Sequence, residues 1–354
     1  MKSLRKPAPG PGLELHESKP AAPGPGEVLI RVKATGVCGT DLHIDEWTPS
    51  YHFMTSALPV TIGHEFSGEV ASWGEGVTGL APGQLVTVRP SVVCGRCAAC
   101  RARDFDACTT RQGIGVMRHG AFADWVVVPA RNCVPVPAGM DPLVAALAEP
   151  LSVSLEAVRT GGVKAGDRVL VLGPGNIGQG IALFAREAGA AQVVVAGHGD
   201  APRMAVLRRL GFDDLVDVAD IGLEKGLAPY LDAGHFDVVI EATGASAVVA
   251  PALKVLKSHG VLVITGIHAA PVAIDLTALV RRHQTLRGSY RSPESAWPDV
   301  VAFMGRHQAL LRHMITHRVP LSRAGEGFAL ARNRTATKVM VQPDAEWAEE
   351  SVAP

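Results

Sequence analysis

The sequence predicts an α/β chain in which a small β-rich region accompanies a doubly wound parallel sheet. Three observations predict it. Between Asp167 and Gly288, apolar runs and helical spacing alternate, strand then helix, the pattern of a parallel sheet covered on both faces. Outside that stretch, short alternating segments and Pro-Gly pairs dominate, as half-buried strands joined by turns require. The chain has 354 residues and is 47% hydrophobic, enough for two domains with large cores.

The elements follow in order. Pro7 to Gly26 is rich in Pro-Gly pairs and reads as turns before the first clear strand, Glu27 to Ala34. A loop from Asp45 to Pro59 carries Trp47, Tyr51, His52 and Phe53. Gly63 to Val70 follows, and Val77 to Val88 holds short strands around an Ala81–Gln84 turn. Gly120 to Val128 returns to strand. Asp141 caps a helix with Pro142 in its first turn. Glu149-Pro150-Leu151 breaks that helix, and helical spacing resumes from Ser152 to Thr160. Strands are expected at 168–172, 192–196, 236–241, 261–265 and 285–288, with helices at 177–188 and 202–210. A helix at 297–311, the segment 315–321 and a strand at 338–341 complete the chain, and the acidic tail after Pro343 is expected to fray. The expected domains are 1–152, 153–289, and 290–354 returning to the first.

Lys plus Arg is 34 and Asp plus Glu is 34, so the net charge is about zero. That argues against nucleic acid or a polybasic membrane contact as partner. No apolar run approaches the ~18 residues that would cross a membrane. The first residues lack the apolar segment of a signal peptide, so the chain reads as cytoplasmic.

Four of the six cysteines fall between Cys94 and Cys108, as Cys94, Cys97, Cys100 and Cys108. Four soft sulfurs at this spacing suit a closed tetrahedral zinc shell, which holds structure and performs no chemistry. Disulfides are disfavoured in a chain without a secretion signal. An iron–sulfur cluster is disfavoured because Thr109, not Pro, follows Cys108. Cys38, His64 and Glu65 form a second candidate set, with thiolate, imidazole and carboxylate donors that leave a position open, as catalytic zinc needs. Glu149 is a further carboxylate candidate for that metal. Cys133 reads as a structural thiol. His16, His119, His235, His259, His283 and His307 read as ordinary histidines, and His317 stays open.

Gly173-Pro174-Gly175-Asn176-Ile177-Gly178 follows a strand and opens a helix. The three glycines allow the tight turn, the approach of a pyrophosphate, and close helix–strand packing, with helix N–H groups facing the phosphates. The acidic residue expected about 20 residues on is Gly197 here. Asp200 either reaches the ribose or caps the next helix. Arg203 and His198 are the cations that would meet a 2′-phosphate, so NAD and NADP both stay open. Gly197→Asp is expected to sharpen preference for NAD. Thr243 and Gly266 complete the cofactor-contact candidates.

Taken together, Gly63-His64-Glu65-Phe66-Ser67-Gly68-Glu69-Val70, the cysteine loop, Glu149-Pro150 and the glycine turn resemble the zinc-dependent medium-chain alcohol dehydrogenases. Cys38-Gly39-Thr40-Asp41-Leu42-His43 and Ile315-Thr316-His317-Arg318 look most like the threonine and polyol (sorbitol-type) branch. The resemblance implies a GroES-like catalytic domain and a Rossmann domain. It implies catalytic zinc on Cys38, His64 and a glutamate, Glu65 or Glu149, with Thr40 and His43 relaying a proton. It also implies two zinc ions per chain, NAD or NADP, a small-molecule secondary alcohol as substrate, and a homodimer or homotetramer. A zinc-free quinone or enoyl reductase, or a non-catalytic nucleotide sensor, are the alternatives on the same fold.

Overall fold

A computed structural model of the chain describes residues 1–347. The protein is α/β and divides into two compact units. One is Met1–Glu149 together with the segment from Trp297 onward; the other is Pro150–Ala296.

The second unit is built on six parallel strands. Their order across the sheet is Leu215–Asp217, Gln192–Gly197, Arg168–Leu172, Phe236–Glu241, Leu256–Ile264 and Thr285–Gly288. Read across the sheet, the first three come in reverse chain order and the last three in chain order, so the order reverses between Arg168–Leu172 and Phe236–Glu241. A ligand crevice opens at the carboxyl ends of strands at such a switch point. The four inner strands bury most of their side chains, including Leu170, Val194, Val239 and Leu262, while the edge strand Thr285–Gly288 is exposed along its length. Each such burial contributes about 1.5–3 kcal/mol.

In the other unit, Glu27–Gly36 is the central strand. It pairs with Glu65–Trp73, Trp125–Pro129 and Lys338–Gln342, all antiparallel. The alternation in its sequence places Val28, Ile30 and Val32 in one buried cluster with Phe66 and Val86. Ile62, Phe122 and Phe328 pack in a second cluster, which ties the C-terminal segment to the first 149 residues. Lys338–Gln342 also runs parallel to Ile315–Pro320.

Several local expectations change. Lys2–Lys6 pairs as a strand with Glu14–Glu17, which lies inside the Pro7–Gly26 stretch expected to be turns alone. The helix Ala148–Gly161 runs through Pro150 rather than breaking there. Pro150 is its third residue, where a backbone N–H has no intrahelical partner to lose. Elements that the sequence reading does not include are the helices Gly39–Glu46, Leu223–Leu231, Val249–Val255, Leu276–Arg281 and Ala324–Arg332, the strand Leu215–Asp217 and the 3₁₀ segment Pro49–Ala57, among others. The acidic tail is pinned as far as it is described. Asp344 accepts from Lys2 Nζ at 2.7 Å and Glu346 from Lys33 Nζ at 2.9 Å. The rest of the tail, from 348, lies outside the described residues. Among the described residues, no helix is long and apolar enough to cross a membrane.

Candidate active site and metal centres

The loop Cys94–Cys108 brings its four sulfurs within 4.8 Å of one another, and all four are free thiols. Gly95 takes a left-handed φ of 71° and turns the chain between the first two cysteines. Backbone N–H groups of Cys97 and Cys100 donate to the sulfurs of Cys94 and Cys97, each at 3.4 Å. Cys94 Sγ and Cys100 Sγ stand 3.9 Å apart. Zinc–sulfur bonds of ~2.3 Å in a tetrahedron give an edge of ~3.8 Å, so the sulfurs fit the ion.

The second donor set is assembled from two places. Cys38 precedes the helix Gly39–Glu46, and its N–H donates to Asp41 Oδ2 at 2.9 Å, which fixes the entry to the helix. His64 and Glu65 follow Gly63, whose φ of 96° turns the chain into the strand Glu65–Trp73. A side chain on Gly63 would also strike Phe122 at 2.8 Å. The donor atoms of Cys38, His64 and Glu65 lie within 4.8 Å of one another. A Cβ on Gly36 would sit 2.4 Å from Glu65 Oε2, so the last residue of the central strand must be glycine to leave room for this carboxylate.

The electrostatics of this spot favour a bound cation. Burial pushes the Cys38 thiol up, and Glu65 adds to the effect. Burial pushes Asp41 up to about 6 and Glu149 up to about 7. Thus the acids Cys38, Asp41, Glu65 and Glu149 crowd one dry region, with His64 and a single amine among them. Among the described residues, His64 Nδ1 and Asp41 Oδ1 are buried without a hydrogen-bond partner. A divalent ion on mixed sulfur, nitrogen and oxygen donors would neutralise this crowding. The amine is Lys338, which the sequence reading had placed only as the start of a strand. It is buried, donates to Val37 O at 3.0 Å and pairs with Glu65. Glu65 is therefore in the donor set by distance but shares one oxygen with Lys338. Glu149 stands outside the close set and acts on it through space.

Thr40 and His43 lie on the helix that starts beside Cys38. Thr40 is half-buried and His43 exposed, one turn apart. Tyr51 links them. Its hydroxyl donates to Thr40 Oγ1 at 3.0 Å, and its ring stacks on His43 with centroids 6.0 Å apart. Sequence reasoning put Tyr51 in the pocket loop but missed this contact, because a 3₁₀ segment brings it back over the helix.

In the other unit, the glycine turn sits at the carboxyl end of Arg168–Leu172. Gly173 has a φ of 110°, and a Cβ on Gly178 would be 1.7 Å from Gly173 O, so helix and strand touch. The space beside Gly175 is open; its nearest neighbour is the Arg203 guanidinium at 4.0 Å from the position of a Cβ. Asn176 Oδ1 is buried in the first turn of the helix without a partner among the described residues. Ile177 O accepts from Ser154 Oγ at 3.0 Å, which fixes the helix start. An open cradle with helix N–H groups and a nearby cation fits a dinucleotide phosphate.

The ends of the neighbouring strands are organised by residues that the sequence did not single out. Buried Glu241 accepts from the N–H groups of Thr243 and Gly244 and from the Thr243 hydroxyl, and lies 3.2 Å from His268 Nε2. This loop places Thr243 against Gly173, and Gly266 against Gly244. At Gly197 the structure revises an expectation. A Cβ there would stand 2.7 Å from both Pro174 Cγ and Met204 Cε, so the position is glycine for packing, and an aspartate does not fit without displacement. Asp200 does not cap the following helix. Its carboxylate instead accepts from His198 N–H at 3.1 Å and lies 3.5 Å from Arg203 Nη1. His317 shares a hydrogen bond with Thr316 at 3.0 Å, and burial lowers its pKa.

Comparison with known proteins places the chain in a family and agrees with the two-part fold. Residues 24–138 match the model of the alcohol dehydrogenase GroES-like domain, and residues 176–306 that of zinc-binding dehydrogenase. An L-threonine 3-dehydrogenase of Saccharopolyspora erythraea is 35% identical over 96% of this chain and 98% of its own. A sorbitol dehydrogenase of Halalkalibacterium halodurans is 30% identical over 97% of this chain and 99% of its own. A solved Sinorhizobium meliloti 1021 protein bound to NADP is 30% identical with a TM-score of 0.82, covering 97% of this chain and 99% of its own.

Proposed function

Because the chain belongs to the zinc-binding alcohol dehydrogenase family, we propose that Cys38, His64 and one carboxylate, Glu65 or Glu149, hold the zinc at which it works. The protein is a zinc- and NAD(P)-dependent dehydrogenase that oxidises a small-molecule secondary alcohol to a ketone. The observation that carries the residue assignment is the convergence of Cys38, His64 and Glu65 donor atoms within 4.8 Å, at the start of the helix that bears Thr40.

When bound, zinc supplies a Lewis acid for the alcohol oxygen, and the nicotinamide accepts the hydride. The chain's own residues manage the proton. Tyr51 fills one lone pair of Thr40 Oγ1, so Thr40 can accept the alcohol proton on the other while giving up its own. His43, exposed one turn along, passes the proton to solvent, a role an imidazole's two ring nitrogens suit. The Gly173–Gly178 turn seats the pyrophosphate. Asn176, Ile177, Thr243, Gly266, Gly197, His198 and Arg203 surround the rest of the cofactor.

The substrate is a vicinally substituted alcohol, a polyol, a diol or a threonine-like amino alcohol, in keeping with the threonine and sorbitol relatives. The protein acts in the cytoplasm, in keeping with six free thiols, four of them at ligand spacing. It is a homodimer or homotetramer: Thr285–Gly288 is an open sheet edge with Leu286 exposed, and Val280 and Tyr290 are exposed nearby in sequence. A zinc-free reductase or a nucleotide sensor is not favoured, since both donor sets and the relay residues are in place.

Zinc analysis and initial rates with L-threonine, sorbitol, xylitol and 2,3-butanediol test the reading. Two zinc ions per chain are expected, with turnover on at least one of these alcohols. His64→Ala should abolish oxidation while leaving dinucleotide binding intact, and normal turnover in that variant would reject the site.

A further inference from the structure

A cavity of about 450 Å³ opens on the first unit, and none of Cys38, His64 and Glu65 lines it. Its charged lining is unbalanced: Arg5, Lys19 and Arg118 face Glu27 as the one carboxylate. Arg118 spends one N–H on Glu27 at 2.8 Å, and Arg5 spends one on Glu14 at 3.0 Å, outside the lining. Arg5 Nε is buried without a hydrogen-bond partner among the described residues. His119 Nδ1 accepts from Thr61 N–H at 3.1 Å, so its Nε2 carries the proton and is a donor. Burial, and after it the charges of Arg5 and Arg118, lower the pKa of this imidazole. The ring of Trp125 and the Leu29 side chain supply an apolar wall.

We propose that this cavity binds a small phosphorylated metabolite. Two guanidinium groups, an ammonium and an imidazole N–H come from different segments, and donors from several directions suit a tetrahedral phosphoryl group. The volume exceeds a bare phosphate, and the apolar wall would hold the carbon skeleton. The floor is Thr61, three residues before His64, on a short strand whose continuation is tied by Ala121 N–H to Gly63 O at 3.0 Å. Occupancy at this floor therefore lies one short strand from the candidate zinc ligand.

The test is calorimetric titration of the zinc-loaded enzyme, saturated with NADH, using inorganic phosphate and then glycerol 3-phosphate. Filling the dinucleotide site first removes it as a competitor. One site per chain is expected, tighter for glycerol 3-phosphate. Arg118→Gln should weaken it tenfold or more. Lys19→Gln, at an exposed position with little bearing on folding, should weaken it at least threefold. Arg203→Gln should leave it unchanged. The proposal is overturned if neither anion binds, if the cavity variants bind as the wild type does, or if Arg203→Gln alone removes binding.

Discussion

Lys338 Nζ and Glu65 Oε2 form an ion pair of 2.5 Å in which neither side chain is more than 3% exposed. It joins the start of the last strand to the candidate zinc site across 273 residues of sequence. A buried pair is costly to break from one side, because the surviving charge has no partner. Lys338→Met should lower unfolding free energy by about 3–5 kcal/mol. Urea midpoints of the zinc-loaded variant and wild type measure this, and an unchanged midpoint for Lys338→Met would show that the pair does not support the fold.

The cysteine loop should hold structure without taking part in turnover. Cys97→Ser should reduce zinc from two per chain to one and lower the melting temperature, since metal binding and folding of such a loop are coupled. The turnover number of freshly purified folded protein should be unchanged. Full zinc content in this variant would reject the assignment.

Tyr51 should act through Thr40. Tyr51→Phe removes the donated hydrogen bond, worth about 0.5–1.5 kcal/mol, and should slow turnover about two- to twelvefold. Thr40→Val should cost more, about 10²–10⁴-fold, because the relay itself is lost. Cofactor affinity should not move in either. Steady-state rates with both variants measure the order, and equal rates for wild type and Tyr51→Phe would show that Tyr51 does not orient the relay.

NAD should be the better cofactor. Arg203 is the cation nearest the glycine turn, but Asp200 lies 3.5 Å from it and opposes a 2′-phosphate. Asp200→Ala should raise the relative efficiency with NADP about fivefold, or ~1 kcal/mol, the upper range for such a pair. Gly197→Asp is a poor test here, because Pro174 and Met204 occupy its space. A wild-type preference for NADP of about tenfold, ~1.4 kcal/mol, would overturn the expectation.

Stability should fall in acid partly through Asp237. Burial pushes this carboxyl up, but the Arg168 N–H at 2.7 Å and the Lys257 ammonium outweigh it and leave its pKa below the ordinary value. A depressed folded pKa contributes stability above the unfolded value of ~3.9 and loses it as pH falls through the folded one. Asp237→Asn should therefore unfold more easily than wild type at neutral pH, and the gap should close below about pH 4. Denaturation midpoints between pH 7 and 3 measure it; a gap that widens in acid contradicts the sign.

What the sequence determined by itself was local. Four sulfurs within fifteen residues and three glycines within six are brought together by short loops, so spacing alone identifies their chemistry. The strand–helix alternation from Asp167 dictated the parallel sheet, because each apolar run is too short to be anything but a buried strand. Tertiary structure decided the rest. Lys338 reads as an ordinary strand residue until antiparallel pairing sets its strand beside Gly36 and Glu65. Gly197 reads as a missing carboxylate until Pro174 and Met204 are seen to fill its place. Lys2–Lys6 hides as a strand because Lys and Arg stems can be covered, as they are for fully buried Lys6. Its ammonium survives there on the carbonyls of Gly10, Gly12 and Asp45, partners that no sequence window contains together. Burial and pairing are properties of distant residues meeting, and a pattern read along the chain has no term for them.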